Sequence, residues 1–342
     1  MLDSPAVSAV DDSAATSLGD GTVRVGFVTQ LLWERYGGFW VELVKGAGAT
    51  PVFATPEEAM GADERAAAEG FPGSSFRLAA AQAQALAGCD LVIVPRLNPE
   101  SASQRGGAQD RWIADLPGAL REAVPALGET LAVATFPDPD LESVAVGLLR
   151  RLLGDVAMVP RVWSRHRSSA ERLAQGPAKA PRQRLERAAA GKLAAGGATG
   201  LIGQPWVLTQ RLMARLSAGE QSYVSQLQLD PLRCREEGWR SDERLIDTDA
   251  EVLGAARILS RRAGVASLRF IADGPAPQIS STSDAWLAKR AAAGSHKPQT
   301  TWHLADAIAA HEPAPYEPAS HGPWSRELLD TLFHLPDDLP VD

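Results

Sequence analysis

Hydrophobic residues follow two alternating patterns along this chain: short apolar runs, and longer stretches in which they recur every three or four positions. The apolar run at 23–28 predicts a β-strand. The spacing of Leu32, Tyr36 and Trp40 predicts a helix after it, and the run at 51–54 predicts the next strand. Strand, helix and strand within this length form a βαβ unit, which implies parallel pairing.

The same alternation continues to the end of the second half of the chain. Further strands are predicted at 91–94, 130–135, 199–203, 224–229, 265–271 and 300–304. Helices are predicted at 76–87, 112–124, 141–153, 208–216, 248–263 and 283–293, and 59–70 is a helix or a polar excursion. The fold class expected is α/β, with two Rossmann-like open parallel-sheet lobes and an interdomain cleft.

Changes in composition divide the chain into five segments. Residues 1–20 are an Asp-, Ala- and Ser-rich flexible tail, and the segment 161–196 is a basic helical linker. The first α/β lobe is predicted at 21–160, the second at 197–311, and a Pro-rich extension at 312–342.

Net charge, apolar runs and cysteine count each make some classes of protein less favoured. A net charge of −8 disfavours general nucleic-acid binding, which needs many cations against the phosphates. No apolar run is long enough for a membrane span, and Cys89 and Cys234 are too few for a disulfide framework, so a cytoplasmic protein is expected.

Several blocks, taken in order, resemble the 2-hydroxyacyl-CoA dehydratase D-component and activase-associated family. They are VGFVTQLL at 25–32, GATPV at 48–52, CDLVIVPRL at 89–97, LIGQPW at 201–206, the stretch from LGAA at 253–256 to FIADGP at 270–275, and Lys297-Pro298. The resemblance covers residues 23–306 and implies the two-lobed fold and its cleft.

The departures from that family concern its iron–sulfur cluster. Cysteines carry the cluster in the family, but the loops at 134–138 and 272–277 and the segment between Phe53 and Phe76 contain none. A [4Fe–4S] cluster is commonly held by four thiolates. We therefore expect no cofactor, with a [4Fe–4S] cluster as the alternative.

Candidate ligand-binding residues follow the predicted strands, because ligands of open parallel sheets bind at the carboxyl ends of the strands. In the first lobe they are Thr29 and Gln30, Arg96, which could pair with a carboxylate or phosphate, and Thr135. In the second lobe they are Gln204, Trp206, Asp273, Ser281 and His303. Each also has a plainer interpretation as a cap, a turn or a packed side chain.

No nucleophile elbow, Walker A loop, dinucleotide fingerprint or histidine metal spacing is present. The preferred hypothesis is a non-catalytic, cluster-free dehydratase-like protein that binds a small molecule, such as an acyl-CoA or nucleotide, or a protein partner. One rival is an iron–sulfur acyl-CoA dehydratase or reductase component. The other is a nucleic-acid-associated protein that uses the basic linker.

Overall fold

The structure is a computed structural model that describes residues 22–63, 73–97, 110–135, 140–174, 197–217, 222–273 and 282–309. The predicted tail at 1–20, the extension at 312–342, residues 175–196 of the predicted linker and Ser281 lie outside the described residues.

The first lobe is built on a four-stranded, all-parallel sheet. Its strands are β1 (Arg24–Phe27), β2 (Thr50–Phe53), β3 (Leu91–Arg96) and β4 (Thr130–Ala134), in the spatial order β2-β1-β3-β4. The central strands β1 and β3 are buried over three and five consecutive residues, which explains why apolar residues occupy both faces of each strand.

The second lobe repeats the same order. Its strands are β5 (Ala198–Gly203), β6 (Tyr223–Ser225), β7 (Val265–Ala272) and β8 (Gln299–His303), and the sheet runs β6-β5-β7-β8 with all strands parallel. The predicted α/β class with two Rossmann-like lobes is therefore confirmed. A cleft between the lobes is not shown, and it stays a prediction.

The strand registers show that the two lobes match position by position. Gly26 pairs with Val52 and Val92, and Gly200 pairs in the same way with Val224 and Leu268. Gly26 and Gly200 are thus equivalent positions. Counting four residues onward from each glycine makes Gln30 and Gln204 equivalent as well.

Helices flank both sheets. In the first lobe the described helices are α1 (Trp33–Gly46), α2 (Pro56–Asp63), α3 (Ser74–Ala85), α4 (Arg111–Ala114), α5 (Leu116–Ala123), α6 (Leu141–Leu152) and α7 (Val159–Ala174). In the second lobe they are α8 (Gln210–Ser217), α9 (Pro231–Trp239), α10 (Asp247–Ser260), α11 (Thr282–Ala293) and α12 (Leu304–Ala309).

The structure shortens one predicted strand, divides one predicted helix and contains helices that were not predicted. The strand expected at 224–229 ends at Ser225, because Ser225 and Gln228 form a capping box around a short 3₁₀ helix. The helix expected at 112–124 is broken at Asp115, whose carboxylate accepts from the Gly118 amide and starts α5. Helix α9 was not predicted, although Asp230 caps it.

Part of the predicted linker packs on the first lobe. Helix α7 buries Val162, Trp163 and Ala170 and contacts α1 and α6. The Trp163 indole N–H donates to Glu142 over 2.9 Å. The described part of this basic segment therefore buries one face of its helix, instead of standing free between the lobes.

One apolar cluster spans both lobes, and a second lies wholly within the second lobe. A single cluster of buried side chains joins Phe76, Trp112 and Leu120 of the first lobe to Trp206 and Leu212 of the second. Burial of apolar surface therefore contributes to holding the lobes together, at about 25 cal/mol per Å² of buried area.

Helices α9 and α10 pack at very short range through two glycines. A Cβ atom at Gly254 would lie 1.7 Å from the Cys234 carbonyl oxygen, and one at Gly238 would lie 2.0 Å from the Ala250 carbonyl oxygen. Only glycine fits at these positions without separating the helices.

We expect Gly254→Ala to lower the free energy of unfolding by about 3 kcal/mol, because the methyl group forces the two helix backbones apart. Urea unfolding monitored by circular dichroism measures the change. The matched control is Gly147→Ala in α6, where an added Cβ meets nothing within 4 Å. That variant should gain about 0.5–1 kcal/mol from helix propensity. Equal stabilities of the two variants would contradict the packing argument.

Candidate functional site

Each sheet has a topological switch point at its centre. The chain leaves β1 toward β2 on one side and reaches β3 on the other, and β5 stands in the same relation to β6 and β7. Ligands of open α/β sheets bind outside the carboxyl ends of the strands at such points. The residues that follow the central strands are Thr29 and Gln30 in the first lobe, and Gln204 and Asp273 in the second.

In the first lobe, Gln82 of α3 holds the loop after β1. Its amide nitrogen donates to the Thr29 hydroxyl over 2.9 Å, and its amide oxygen accepts from the Gln30 backbone N–H over 3.2 Å. The Gln30 side chain is fully buried, and neither its nitrogen nor its oxygen has a hydrogen-bond partner among the described residues.

The backbone just after Gln30 is strained. Leu31 and Leu32 have φ angles of 65° and 79°, in the left-handed region that bulky residues rarely adopt. Such residues cost about 1–3 kcal/mol each and persist where the surroundings fix them. Both leucines are buried, so core packing holds this turn in place.

In the second lobe, Gln204 occupies the equivalent position. Its amide nitrogen donates to Asp249 of α10 over 3.1 Å, while its amide oxygen has no partner within the described chain. The preceding Gly203 donates its N–H to Gln226. A Cβ at Gly203 would lie 2.6 Å from the Ile271 carbonyl oxygen, which explains why glycine stands there.

Asp273 connects the two lobes through the N-terminus of α3. Its carboxylate accepts from the Ser74 amide over 3.0 Å and from the Ser75 amide over 3.1 Å. The Asp273 backbone N–H donates to Asp284 over 2.6 Å. A carboxylate from the second lobe therefore satisfies the first-turn amides of a first-lobe helix, the role that a local cap residue usually has.

Aromatic side chains form a second connection between the lobes. The Trp112 ring lies 5.5 Å from the Phe76 ring and 5.4 Å from the Trp206 ring, measured between centroids. Both indole N–H groups are buried and have no acceptor in the part of the chain that the structure describes. A buried indole N–H usually has an acceptor, so the two indoles are unusual among the described residues.

These contacts define one set of residues, which we call the interlobe polar cluster. Its members are buried, and each is linked to another member by a hydrogen bond, a ring contact or charge repulsion. The first lobe contributes Ser75, Asp110 and Trp112, and the second contributes Gln204, Trp206, Asp249, Asp273 and Asp284.

Burial raises the pKa values of three carboxyl groups of this cluster, so that they keep their protons to a higher pH than usual. It raises the pKa of Asp249 to about 7 and that of Asp273 to about 6, and repulsion from Asp110 adds to both shifts. Burial, followed by repulsion from Asp273, raises the pKa of Asp284 well above its usual range. A further negative charge would be unfavourable here, whereas a hydrogen-bond donor or a cation would be favourable.

A bidentate ion pair is a further polar contact between the lobes. Arg35 of α1 donates to both carboxylate oxygens of Glu251 in α10, over 2.7 and 2.9 Å. The Glu251 side chain is 2% exposed and that of Arg35 is 21% exposed. Such geometry fixes orientation as well as distance.

The remaining predicted site residues lie elsewhere or form local contacts. The Thr135 hydroxyl donates to the Arg96 carbonyl over 3.1 Å, so these two positions are joined to each other at the end of the first sheet. His303 ends β8 opposite Ala272, one residue before Asp273. Ser281 is outside the described residues, and its predicted role is untested.

Sequence reasoning did not identify five members of the cluster. They are Ser75, Asp110, Trp112, Asp249 and Asp284. Asp249 and Asp284 lie in the first turns of α10 and α11, where acidic residues usually interact with the helix dipole at the surface. The sequence around Asp249 carries no signal of its burial, because Asp247, Thr248 and Glu251 make this turn of α10 polar.

The cysteines do not fit an iron–sulfur cluster. Cys89 precedes β3, at the amino end of the strand, and Cys234 is buried in α9 against α10. Burial raises the pKa of both thiols, and cluster ligation needs thiolates. Among the described residues, no group of three or more His, Cys, Asp or Glu side chains could hold a metal ion.

Comparisons of the chain with protein-family models, with curated proteins and with solved structures found no match. The resemblance to the dehydratase family thus stays a prediction. None of the helices in the described ranges has the length and apolar character that crossing a membrane requires.

We expect Glu251→Leu to lower the free energy of unfolding by about 2–4 kcal/mol, because it leaves the Arg35 charge largely buried without its carboxylate. The double variant Arg35→Leu/Glu251→Leu should lose less than the sum of the single losses. The control is Glu122→Leu, which breaks an exposed pair with Arg111 of the same 2.7 Å length and should cost under about 1 kcal/mol. Additive losses at positions 35 and 251 would show that the interlobe pair is not coupled.

A second expectation concerns pH. Unfolded aspartates titrate near pH 4, whereas Asp249 and Asp273 titrate at about 7 and about 6 when folded. The folded state therefore binds more protons between these limits, so the free energy of unfolding falls as pH rises from about 4 to about 7.

Asp249→Asn mimics the protonated acid and removes one share of this dependence. Relative to the parent chain, the variant should gain about 2.5 kcal/mol of stability between pH 5 and pH 8, because the folded-state pKa of about 7 lies about two units above pH 5. Urea unfolding at both pH values measures the gain. The control is Glu243→Gln at an exposed position, for which the difference in the free energy of unfolding from the parent chain should be the same at both pH values. If the stability of Asp249→Asn depends on pH as steeply as that of the parent chain, Asp249 is not one of the groups that cause this dependence.

Proposed function

We propose that this chain is a non-catalytic, cluster-free relative of the 2-hydroxyacyl-CoA dehydratases that binds a small molecule at the interlobe polar cluster. The ligand we infer is a neutral or cationic molecule rich in hydrogen-bond donors. It would sit where the loops after β5 and β7 meet the N-terminus of α3.

One observation carries this proposal: buried polar atoms without partners collect at the lobe junction. Within the described residues, these atoms include Gln204 Oε1, Asp249 Oδ2, Ser75 Oγ and the indole nitrogens of Trp112 and Trp206. An unsatisfied buried polar group costs about 1–3 kcal/mol, and native proteins contain few of them. A ligand that hydrogen-bonds to these atoms would recover that cost.

The charge of the cluster selects the class of ligand. The pKa values of Asp249, Asp273 and Asp284 are already raised, because these groups are buried and lie near other carboxyl groups. Phosphate groups would add to that repulsion, whereas hydroxyl or ammonium groups would donate to the carboxyl oxygens. An acyl-CoA or nucleotide is therefore the less favoured ligand at this position.

Two features support the family relationship within this proposal. The order of the sequence blocks follows that of the dehydratase family, and the duplicated lobes place the 201–206 block at a switch point. The buried, protonated thiols favour a cluster-free member over the iron–sulfur rival. A protein partner stays a separate prediction.

The test is a ligand screen by thermal shift and isothermal titration calorimetry at pH 6 and pH 8. The panel contains sugars, polyols, amino acids and diamines, with acetyl-CoA and ATP as the anionic arm. We expect saturable binding of a non-anionic compound. Gln204→Leu and Trp206→Phe should weaken it about tenfold or more, since each removes one hydrogen-bonding group.

The matched control is Trp163→Phe, which removes an indole N–H whose acceptor is Glu142, outside the cluster. It should leave ligand affinity unchanged. Acetyl-CoA binding that depends on Gln204 would overturn the proposed ligand class. A panel in which no compound stabilises the protein would overturn the small-molecule function.

A further inference from the structure

A concave site lies on the second lobe, between α9 and the C-terminal end of α10. It is a surface cavity of about 710 Å³, a size typical of small-molecule sites. Four of its lining residues are arginines: Arg233, Arg240, Arg261 and Arg262. Only Glu236, Glu237 and Ile258 complete the lining, so the cavity contains little apolar surface.

The charge of this cavity is opposite to that of the whole chain. Four guanidinium groups face two carboxylates, a local excess of two positive charges, in a chain of net charge −8. The attraction of cations to a helix C-terminus explains Arg261 and Arg262 after α10 and also Arg240, which is the C-cap of α9. It does not explain Arg233, which lies in the first turn of α9, where a cation is unfavourable.

Glu237 orients two of the arginines. Its carboxylate accepts from Arg240 over 2.8 Å and from Arg261 over 2.7 Å, and its side chain is only 10% exposed. The two guanidinium groups are therefore held in place before any ligand arrives. Such preorganisation lowers the entropy cost of binding.

The other two arginines remain available. Neither Arg233 nor Arg262 forms a side-chain ion pair or hydrogen bond within the described residues. Each guanidinium is planar and can donate two parallel hydrogen bonds to the oxygens of one phosphate. Two such groups beside Arg240 and Arg261, whose two charges share the single Glu237 carboxylate, suit an anion that carries more than one charge.

We infer that this cavity binds a small molecule bearing two or more linked phosphates, such as a nucleoside diphosphate or triphosphate. The scarcity of apolar lining means that charge supplies most of the binding, with the rest of the ligand left largely in solvent. This site is separate from the interlobe polar cluster, whose carboxyl groups select against phosphate.

The test is isothermal titration calorimetry of the full chain with pyrophosphate and ATP at 50 mM salt, with adenosine as the phosphate-free probe. We expect one saturable site for both phosphate probes and none for adenosine. Affinity should fall steeply when salt is raised to 300 mM, because exposed charges are screened. Arg233→Ala/Arg262→Ala should weaken binding at least tenfold.

The matched control is Arg150→Ala/Arg165→Ala, which removes the same charge from two exposed helix positions. It should leave the affinity within twofold of the parent chain. Asp249→Asn should also leave it unchanged, so failure here is distinguishable from failure at the interlobe polar cluster. Absence of binding at 50 mM salt, or equal losses in the two double variants, would overturn the inference.

Discussion

The hydrogen bonds from the first turn of α3 to the Asp273 carboxylate are the contact on which the arrangement of the lobes depends. Helix α3 begins after Gly73, which has a φ of 98°. Because glycine has no side chain, it cannot cap the helix. The second lobe supplies the missing acceptor, and the Asp273 backbone donates in turn to Asp284. Because these hydrogen bonds are buried, they are strong and they fix the orientation of the two lobes, in addition to the apolar contacts that hold the lobes together.

That constraint explains why the polar chemistry of the chain collects at one place. Trp206, which follows β5, contacts Trp112 of α4, and Asp273, which directly follows β7, accepts from the first turn of α3. Side chains that would be exposed in a single lobe become buried here. The raised pKa values of Asp249 and Asp273 follow from this burial.

The fold could be predicted from sequence because its strands are continuous apolar runs and its helices keep their periodicity. Gln204 and Asp273 were found for a related reason, since they directly follow buried central strands. Asp249 could not be found in the same way, because its burial arises only when the first lobe packs on α10. The end of β6 at Ser225 was missed because a local capping box overrides the β-branched pattern.

Helix α10 reaches both proposed sites. Its first turn carries Asp249 of the interlobe polar cluster, and its C-terminal end borders the arginine cavity about 20 Å away. At Gly238 and Gly254 the backbones of α9 and α10 are in direct contact. Because any side chain at either glycine would clash with the facing backbone, α9 and α10 have no room to slide past each other, and the two proposed sites lie at opposite ends of one tightly packed helix pair.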